Sequence, residues 1–102
     1  IRGSFMLTSK QRAYLRGLAS TEDAIVQIGK EGITDGTISS LDEALTAREL
    51  VKIKVLKTVE EDPKDLAQSL VERLPGTEII HVLGRTIVLF RMNEKKPRII
   101  LP

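Results

Sequence analysis

Apolar residues recur along this chain with two periods, and each change of period predicts a change of secondary structure. Spacings of three and four residues predict helices, whereas alternation or a short β-branched run ended by glycine predicts a strand. The predicted elements are a helix over residues 9–19, a strand over 24–28, a helix from about 34–36 to 47, a strand over 50–56, a helix over 63–74, and strands over 77–83 and 86–91. The order α-β-α-β-α-β-β predicts an α/β fold with right-handed crossovers and a mixed four-stranded sheet packed by three helices.

Residues at three element ends support this assignment. Thr8 to Gln11 matches the capping box that starts a helix. Asp62 and Pro63 suit the N-cap and the first position of the third helix. The pair Gly84-Arg85 suits a two-residue type II′ turn between the last two strands.

The first helix is predicted to have an apolar face and a basic face. Its apolar side is formed by Leu7, Tyr14, Leu15 and Leu18. Arg12 and Arg16 are four residues apart and are predicted to lie opposite, with Lys10 on a flank. The alternatives for these cations are a solvated helix face and a contact with an anionic partner.

The strand over 50–56 is also two-sided. Val51, Ile53 and Val55 point one way, and Lys52 and Lys54 point the other. This alternation is expected if helices cover a single side of the sheet. Lys52 and Lys54 are then either an ordinary polar strand face or part of a binding surface.

Composition narrows the classes of function. The chain of 102 residues is 41% hydrophobic, which suits one compact domain, and only 3% aromatic, so its core must be aliphatic. It has no cysteine and one histidine, His81, which excludes disulfides, thiol catalysis and multi-histidine metal sites. No apolar run approaches the roughly 20 residues that span a bilayer, and no signal peptide is visible. We therefore predict a cytoplasmic monomer without cofactor, metal or membrane partner, and not an enzyme, since no nucleophile–base pair is visible.

The chain divides into three predicted parts. Residues 1–5 precede Met6, a natural start, and are interpreted as a remnant of the expression vector, which lowers the net charge from +2 to +1. Residues 6–92 form the domain. Residues 93–102 are a basic and then apolar tail that either docks on the domain or is mobile. Basic residues concentrate near both ends of the chain and could form a one-sided positive surface or scatter over the molecule.

The segment Gly29-Lys30-Glu31-Gly32 lies between the first strand and the second helix. Glycine lets a backbone approach another backbone closely, and amides near a helix N-terminus favour phosphate. Lys30 adds a positive charge. An ordinary strand-to-helix turn is the alternative, because two glycines three apart are common. The same arrangement occurs in KH domains, where a GXXG loop clamps the nucleic-acid backbone.

Four segments resemble the CRM domain, the YhbY-like family of RNA-binding proteins, in its bacterial single-domain form. They are LTSKQRAYLR from Leu7, QIGKEGI from Gln27, ALTARELVKIKVL from Ala44, and GRTIVLFR from Gly84. The resemblance implies a fold like the C-terminal domain of the third bacterial translation initiation factor. It also implies RNA binding through the glycine loop and the adjacent basic helix, and association with ribosomal RNA in precursors of the large ribosomal subunit.

The RNA contacts expected from this resemblance are Lys10, Arg12, Arg16, Gly29, Lys30, Glu31, Gly32, Lys52, Lys54 and Arg85. Glu31 departs from relatives, which often have a small or uncharged residue there. It either repels RNA, by up to about 1 kcal/mol at an exposed position, or pairs with Lys30. Arg85 at a hairpin tip is either passive or a contact. A protein-interaction adaptor on pre-ribosomal particles is the alternative function.

Overall fold

The computed structural model describes residues 7–102, so the interpretation of residues 1–5 lies outside the described part. Its elements are α1 (Ser9–Ala19), β1 (Val26–Ile28), α2 (Asp35–Arg48), β2 (Leu50–Val55), α3 (Pro63–Arg73), β3 (Glu78–Leu83) and β4 (Thr86–Phe90). The predicted order is confirmed, and the predicted bounds agree to within two residues. No helix in the described part is long and apolar enough to cross a membrane.

The four strands form one mixed sheet in the order β1-β2-β4-β3. β1 pairs with β2 in parallel, and β4 is antiparallel to both β2 and β3. Strands β2 and β3 are therefore parallel to each other with β4 between them. The final hairpin turns at Gly84, whose φ of 57° is the positive value that the first position of a type II′ turn requires.

The larger core lies between the sheet and helices α2 and α3. The odd-numbered residues of β2 and β4 enter it together with Ile28 of β1. Leu41 and Leu45 of α2 and Leu66 and Leu70 of α3 are fully buried against them. Burying aliphatic side chains of this size stabilises a fold by about 1.5–3 kcal/mol each, which explains why an almost non-aromatic chain still forms a firm core.

Helix α1 packs on the opposite face of the sheet. Its Leu15 and Ala19 are buried against Leu50, Val88 and Phe90, which belong to the even-numbered face of β2 and β4. The prediction that helices cover a single side of the sheet is therefore wrong. Tyr14, expected on the apolar face of α1, is 42% exposed.

The C-terminal tail docks on the domain, which decides between the two predicted alternatives. Ile99 and Leu101 are partly buried against the apolar cluster under α1, and Gln11 of α1 donates a hydrogen bond to the carbonyl of Pro102 at 3.2 Å. Glu49, a buried residue between α2 and β2, holds the tail on the domain. Its carboxylate accepts three backbone hydrogen bonds from residues 93–99.

Helix α1 and the tail cover only part of their face. Lys54 of β2, Gln27 of β1 and Leu83 of β3 belong to this face beyond the C-terminus of α1, and all three are exposed. We call this uncovered part the open face. It adjoins the end of the sheet where β1 leads into the glycine loop.

Candidate nucleic-acid interface

The glycine loop is an exposed turn directly after β1. The amide of Gly32 donates a hydrogen bond to the carbonyl of Gly29 at 2.8 Å, which closes the turn. Gly32 has a φ of 74°, a conformation that side chains with a Cβ rarely adopt, and the space beside it is open. Lys30 and Glu31 project into solvent between the two glycines. Another molecule can therefore reach the loop backbone.

A groove separates the loop from the first turn of α2. It holds about 270 Å³ and is lined by Gln27, Gly29, Lys30, Glu31, Gly32, Thr34 and Thr37. Thr34 is the N-cap of α2, and its hydroxyl lies 3.0 Å from that of Thr37 in a capping box. The remaining first-turn amides have no acceptor within the helix, so the groove wall is a favourable environment for an anion.

The other side of the loop is acidic. There Glu60 and Glu61 join Lys30 and Glu31, which line both grooves, around a second groove of about 380 Å³. The predicted alternative of an ion pair between Glu31 and Lys30 is not found among the described residues. An anion is therefore favoured on the α2 side of the loop and disfavoured on the side facing the acidic groove.

The pairing register connects the loop to the open face. Gln27, which lines the loop groove, lies opposite Lys54, and Lys54 lies opposite Thr86, which pairs with Leu83. These four side chains form a row roughly 14 Å wide across the sheet, given strands about 4.8 Å apart. The glycine loop and Lys54 therefore belong to one continuous surface.

Lys52 and Lys54 have different surroundings on this surface. The ammonium of Lys52 donates to the carbonyls of Ala19 and Glu22, each at 3.3 Å, and so compensates the negative end of α1. Lys54 is exposed, and its ammonium has no hydrogen bond or ion pair among the described residues. The ammonium of Lys52 is thus held in place by hydrogen bonds, whereas that of Lys54 can move to meet an anionic partner.

Arg85 brings the hairpin tip close to the loop. Its guanidinium donates to the carbonyls of Leu56 and Val59 at 3.0 and 3.4 Å. A Cβ placed on Gly29 would lie 3.4 Å from the side chain of the same Leu56. The positive charge of Arg85 is therefore held at the same end of the sheet as the loop.

The three predicted cations of α1 are separated by the fold. Arg16 is exposed near the C-terminus of the helix and lines a cleft with Lys52 of β2. Arg12 was predicted opposite the apolar side of α1, but its partly exposed guanidinium donates to the carbonyl of Ile79 and lies 4.0 Å from the carboxylate of Glu78, so it contacts β3. Lys10 lies in the first turn, at the other end of the helix.

Replacing Arg12 by alanine should therefore affect stability more than binding. The variant loses a charge-assisted hydrogen bond to β3 and a long ion pair, and the side chain is 38% exposed. We expect the free energy of unfolding to fall by about 1 kcal/mol in urea titrations. Arg12→Lys should restore little of it, because lysine lacks the planar fork of arginine. An unchanged unfolding midpoint would contradict this structural role.

The open face also contains residues that the sequence did not indicate as contacts. Gln27 and Thr86 extend the row that includes Lys54, and His81 lies opposite Val88 in the next row. Alternation in each strand predicts which way these side chains point, but only the pairing of distant strands brings them together. Within residues 7–102 no group of three His, Cys, Asp or Glu side chains is placed to hold a metal ion.

Comparison with known proteins identifies the class to which this fold and loop belong. Residues 7–91 match the model of the CRS1 / YhbY (CRM) domain, and the chain belongs to that family.

Three relatives illustrate the similarity. The protein named "Probable RNA-binding protein YqeI" from Bacillus subtilis is 41% identical over 97 residues, covering 95% of this chain and all of that protein. A protein of Haemophilus influenzae named "RNA-binding protein" is 30% identical over 89 residues, covering 87% of this chain and 89% of that one. The solution structure of SAV1595 from Staphylococcus aureus is 43% identical, covers 95% of this chain and all of that chain, and superposes with a TM-score of 0.78.

Proposed function

We propose that this protein is a non-enzymatic RNA-binding factor that acts on ribosomal RNA in precursors of the large ribosomal subunit. Its contact surface is the glycine loop Gly29–Gly32 together with the cations of the open face and its rim, namely Arg16, Lys52, Lys54 and Arg85. The observation that carries the proposal is the continuity of the exposed loop with this positive surface through Gln27 and Lys54.

The geometry favours recognition of the RNA backbone. The loop offers closely approachable main chain, the first turn of α2 offers amides, and the surrounding cations neutralise phosphates. Most of these contacts carry no sequence information, so affinity should depend steeply on salt. Relatives named as RNA-binding proteins support this class of ligand.

The loop supplies a matched pair of substitutions with opposite effects. Lys30→Glu should weaken binding to a ribosomal RNA fragment about tenfold, because a phosphate-facing charge is reversed. Glu31→Lys should strengthen it about fivefold, because an exposed acid beside the acidic groove is removed. Both affinities are measured by fluorescence anisotropy over a range of salt concentrations.

Both side chains are exposed, so the two variants should melt within a degree or two of the unsubstituted protein. Equal affinities for Lys30→Glu and Glu31→Lys would show that RNA does not approach this loop.

The association with large-subunit precursors is tested in cells. We expect the protein to sediment with precursor particles and to crosslink to ribosomal RNA. The alternative, an adaptor that binds ribosomal proteins, is favoured by the exposed apolar side chains Leu83 and Ile25, which are 67% and 41% exposed. Nuclease digestion separates the two functions, because it releases an RNA-binding factor from its particles and leaves a protein-bound adaptor attached to ribosomal proteins.

A further inference from the structure

A cleft lies between the C-terminal end of α1 and the open face of the sheet. It holds about 220 Å³ and is lined by Arg16, Ala19, Ser20, Lys52, His81, Leu83, Thr86 and Val88. We call it the α1 cleft. It exists because α1 ends at Ala19 while β3 and β4 continue past it, and because the next helix position is the small residue Ser20.

The α1 cleft has an apolar floor and polar walls. Ala19 and Val88 are both 3% exposed and form the floor. His81 of β3, a half-buried residue, and the hydroxyl-bearing Thr86 of β4 form part of the wall. Neither side chain has a hydrogen-bond partner among the described residues, so both can bond to a ligand.

The charges at the α1 cleft are of one sign. Arg16 and Lys52 are its only formally charged lining residues among those described, and Lys54 extends the same charge along β2. The guanidinium of Arg16 has no ion pair or hydrogen bond among the described residues, so its planar face is available. The complementary ligand is therefore anionic and carries a planar or apolar part that fits the floor.

We infer that the α1 cleft binds one unpaired nucleotide of the RNA, with its base on the apolar floor against His81 and its phosphate near Arg16. Unstacked bases in RNA are held by the faces of histidine rings and arginine guanidinium groups and by hydrogen bonds to their edges. This inference rests on the proposed function and adds to it a structural feature of the RNA, a bulged or looped-out base. The glycine loop then holds the backbone while the cleft detects a base outside the stack.

The test compares two RNA hairpins that differ by one unpaired adenosine bulge. The intact protein should bind the bulged hairpin about tenfold more tightly than the fully paired one, as expected for one additional stacked base. His81→Leu removes the ring from the cleft wall, and Ser20→Leu narrows the cleft from the helix side. Both variants should lose the preference for the bulge and bind the two hairpins with equal affinity.

A second readout reports on the base itself. With 2-aminopurine in place of the bulged adenosine, emission should change when the intact protein binds and should change much less with His81→Leu. Lys30→Glu is the matched comparison, because it should weaken binding to both hairpins equally and keep the preference.

Three outcomes would overturn the inference. Equal binding of both hairpins by the intact protein would refute the base site and leave the proposed RNA-binding function unaffected. Failure to bind either hairpin would refute both the base site and the proposed function. A dimer in sedimentation that Leu83→Lys dissociates, with no preference for the bulge, would assign the cleft to a second copy of the chain.

Discussion

Replacing Glu49 by alanine should lower the free energy of unfolding by about 3 kcal/mol, an effect expected of a buried and fully bonded charge. Glu49 is 0% exposed although it is ionisable. One carboxylate oxygen accepts from the amide of Asn93 at 2.7 Å, and the other accepts from the amides of Arg98 and Ile99 at 2.6 and 2.7 Å. Its carbonyl also accepts from the amide of Arg91 at 2.9 Å.

The carboxylate of Glu49 holds the tail against the sheet. Hydrogen bonds to a charged group contribute about 1.5–3 kcal/mol each, but a tail that detaches regains hydration of its amides, so the three bonds do not add fully. Detachment would also expose Ile99 and Leu101, which are partly buried against the apolar cluster under α1. The expected loss therefore combines broken hydrogen bonds with lost apolar burial.

Backbone strain at the same residue allows a second variant to separate the loss of the carboxylate from the strain of the backbone. Glu49 has a φ of 66°, the one positive value at a non-glycine residue in the described part of the chain. Glu49→Gly relieves this strain, worth on the order of 1 kcal/mol, while it also removes the carboxylate. We expect its stability in urea titrations to lie between those of the unsubstituted protein and Glu49→Ala.

A chain ending at Met92 is the control for the alanine substitution. Without residues 93–102 the carboxylate has lost its three donors, so Glu49→Ala should cost less than about 1 kcal/mol in that background. An equal cost in the 102-residue and shortened chains would show that Glu49 stabilises the domain independently of the tail.

The order and bounds of the elements could be predicted because the signals for them are local. The capping box at Thr8 is present as predicted, and the Asp62-Pro63 start and the glycine turn at Gly84 also lie where the sequence indicated them. The faces of the elements were harder to assign. Alternation in β2 shows that Lys52 and Lys54 share a side, but it does not show that α1 covers part of that side. The likeness to the C-terminal domain of the third translation initiation factor stays a prediction.

The candidate site could be predicted in part. The loop was visible as two glycines beside a helix start, and its exposure is as expected. Helical spacing placed Arg12 with Arg16, yet Arg12 is bonded to β3, because the packing of α1 on the sheet is a long-range property. Glu49 shows the same limit, since its partners lie 44 to 50 residues later in the chain. Charge pattern and hydrophobic period describe single elements. They cannot predict contacts such as these, because the contacts join elements that are distant in sequence.

Reversing one charge on the open face and one at its rim should produce the largest loss of RNA affinity. Arg16→Glu combined with Lys54→Glu should weaken binding to a ribosomal RNA fragment about a hundredfold at low salt and reduce the slope of log affinity against log salt by about two. Both side chains are exposed and have no ion pair among the described residues, so the melting temperature should change little. Fluorescence anisotropy at several salt concentrations measures both quantities.

The tail provides a control with the same change in charge at the other end of the sheet. The control combines Lys95→Glu with Lys96→Glu. These residues lie beyond the end of β4, and Lys95 lines a separate groove with Thr46 at the end of α2. The length of β2, about 17 Å, separates that end of the sheet from the glycine loop. This distance is about twice the screening length at physiological salt. At physiological salt we therefore expect the control to lower affinity less than threefold. If the two double variants weaken binding equally, RNA responds to the net charge of the protein, and the open face is not its binding surface.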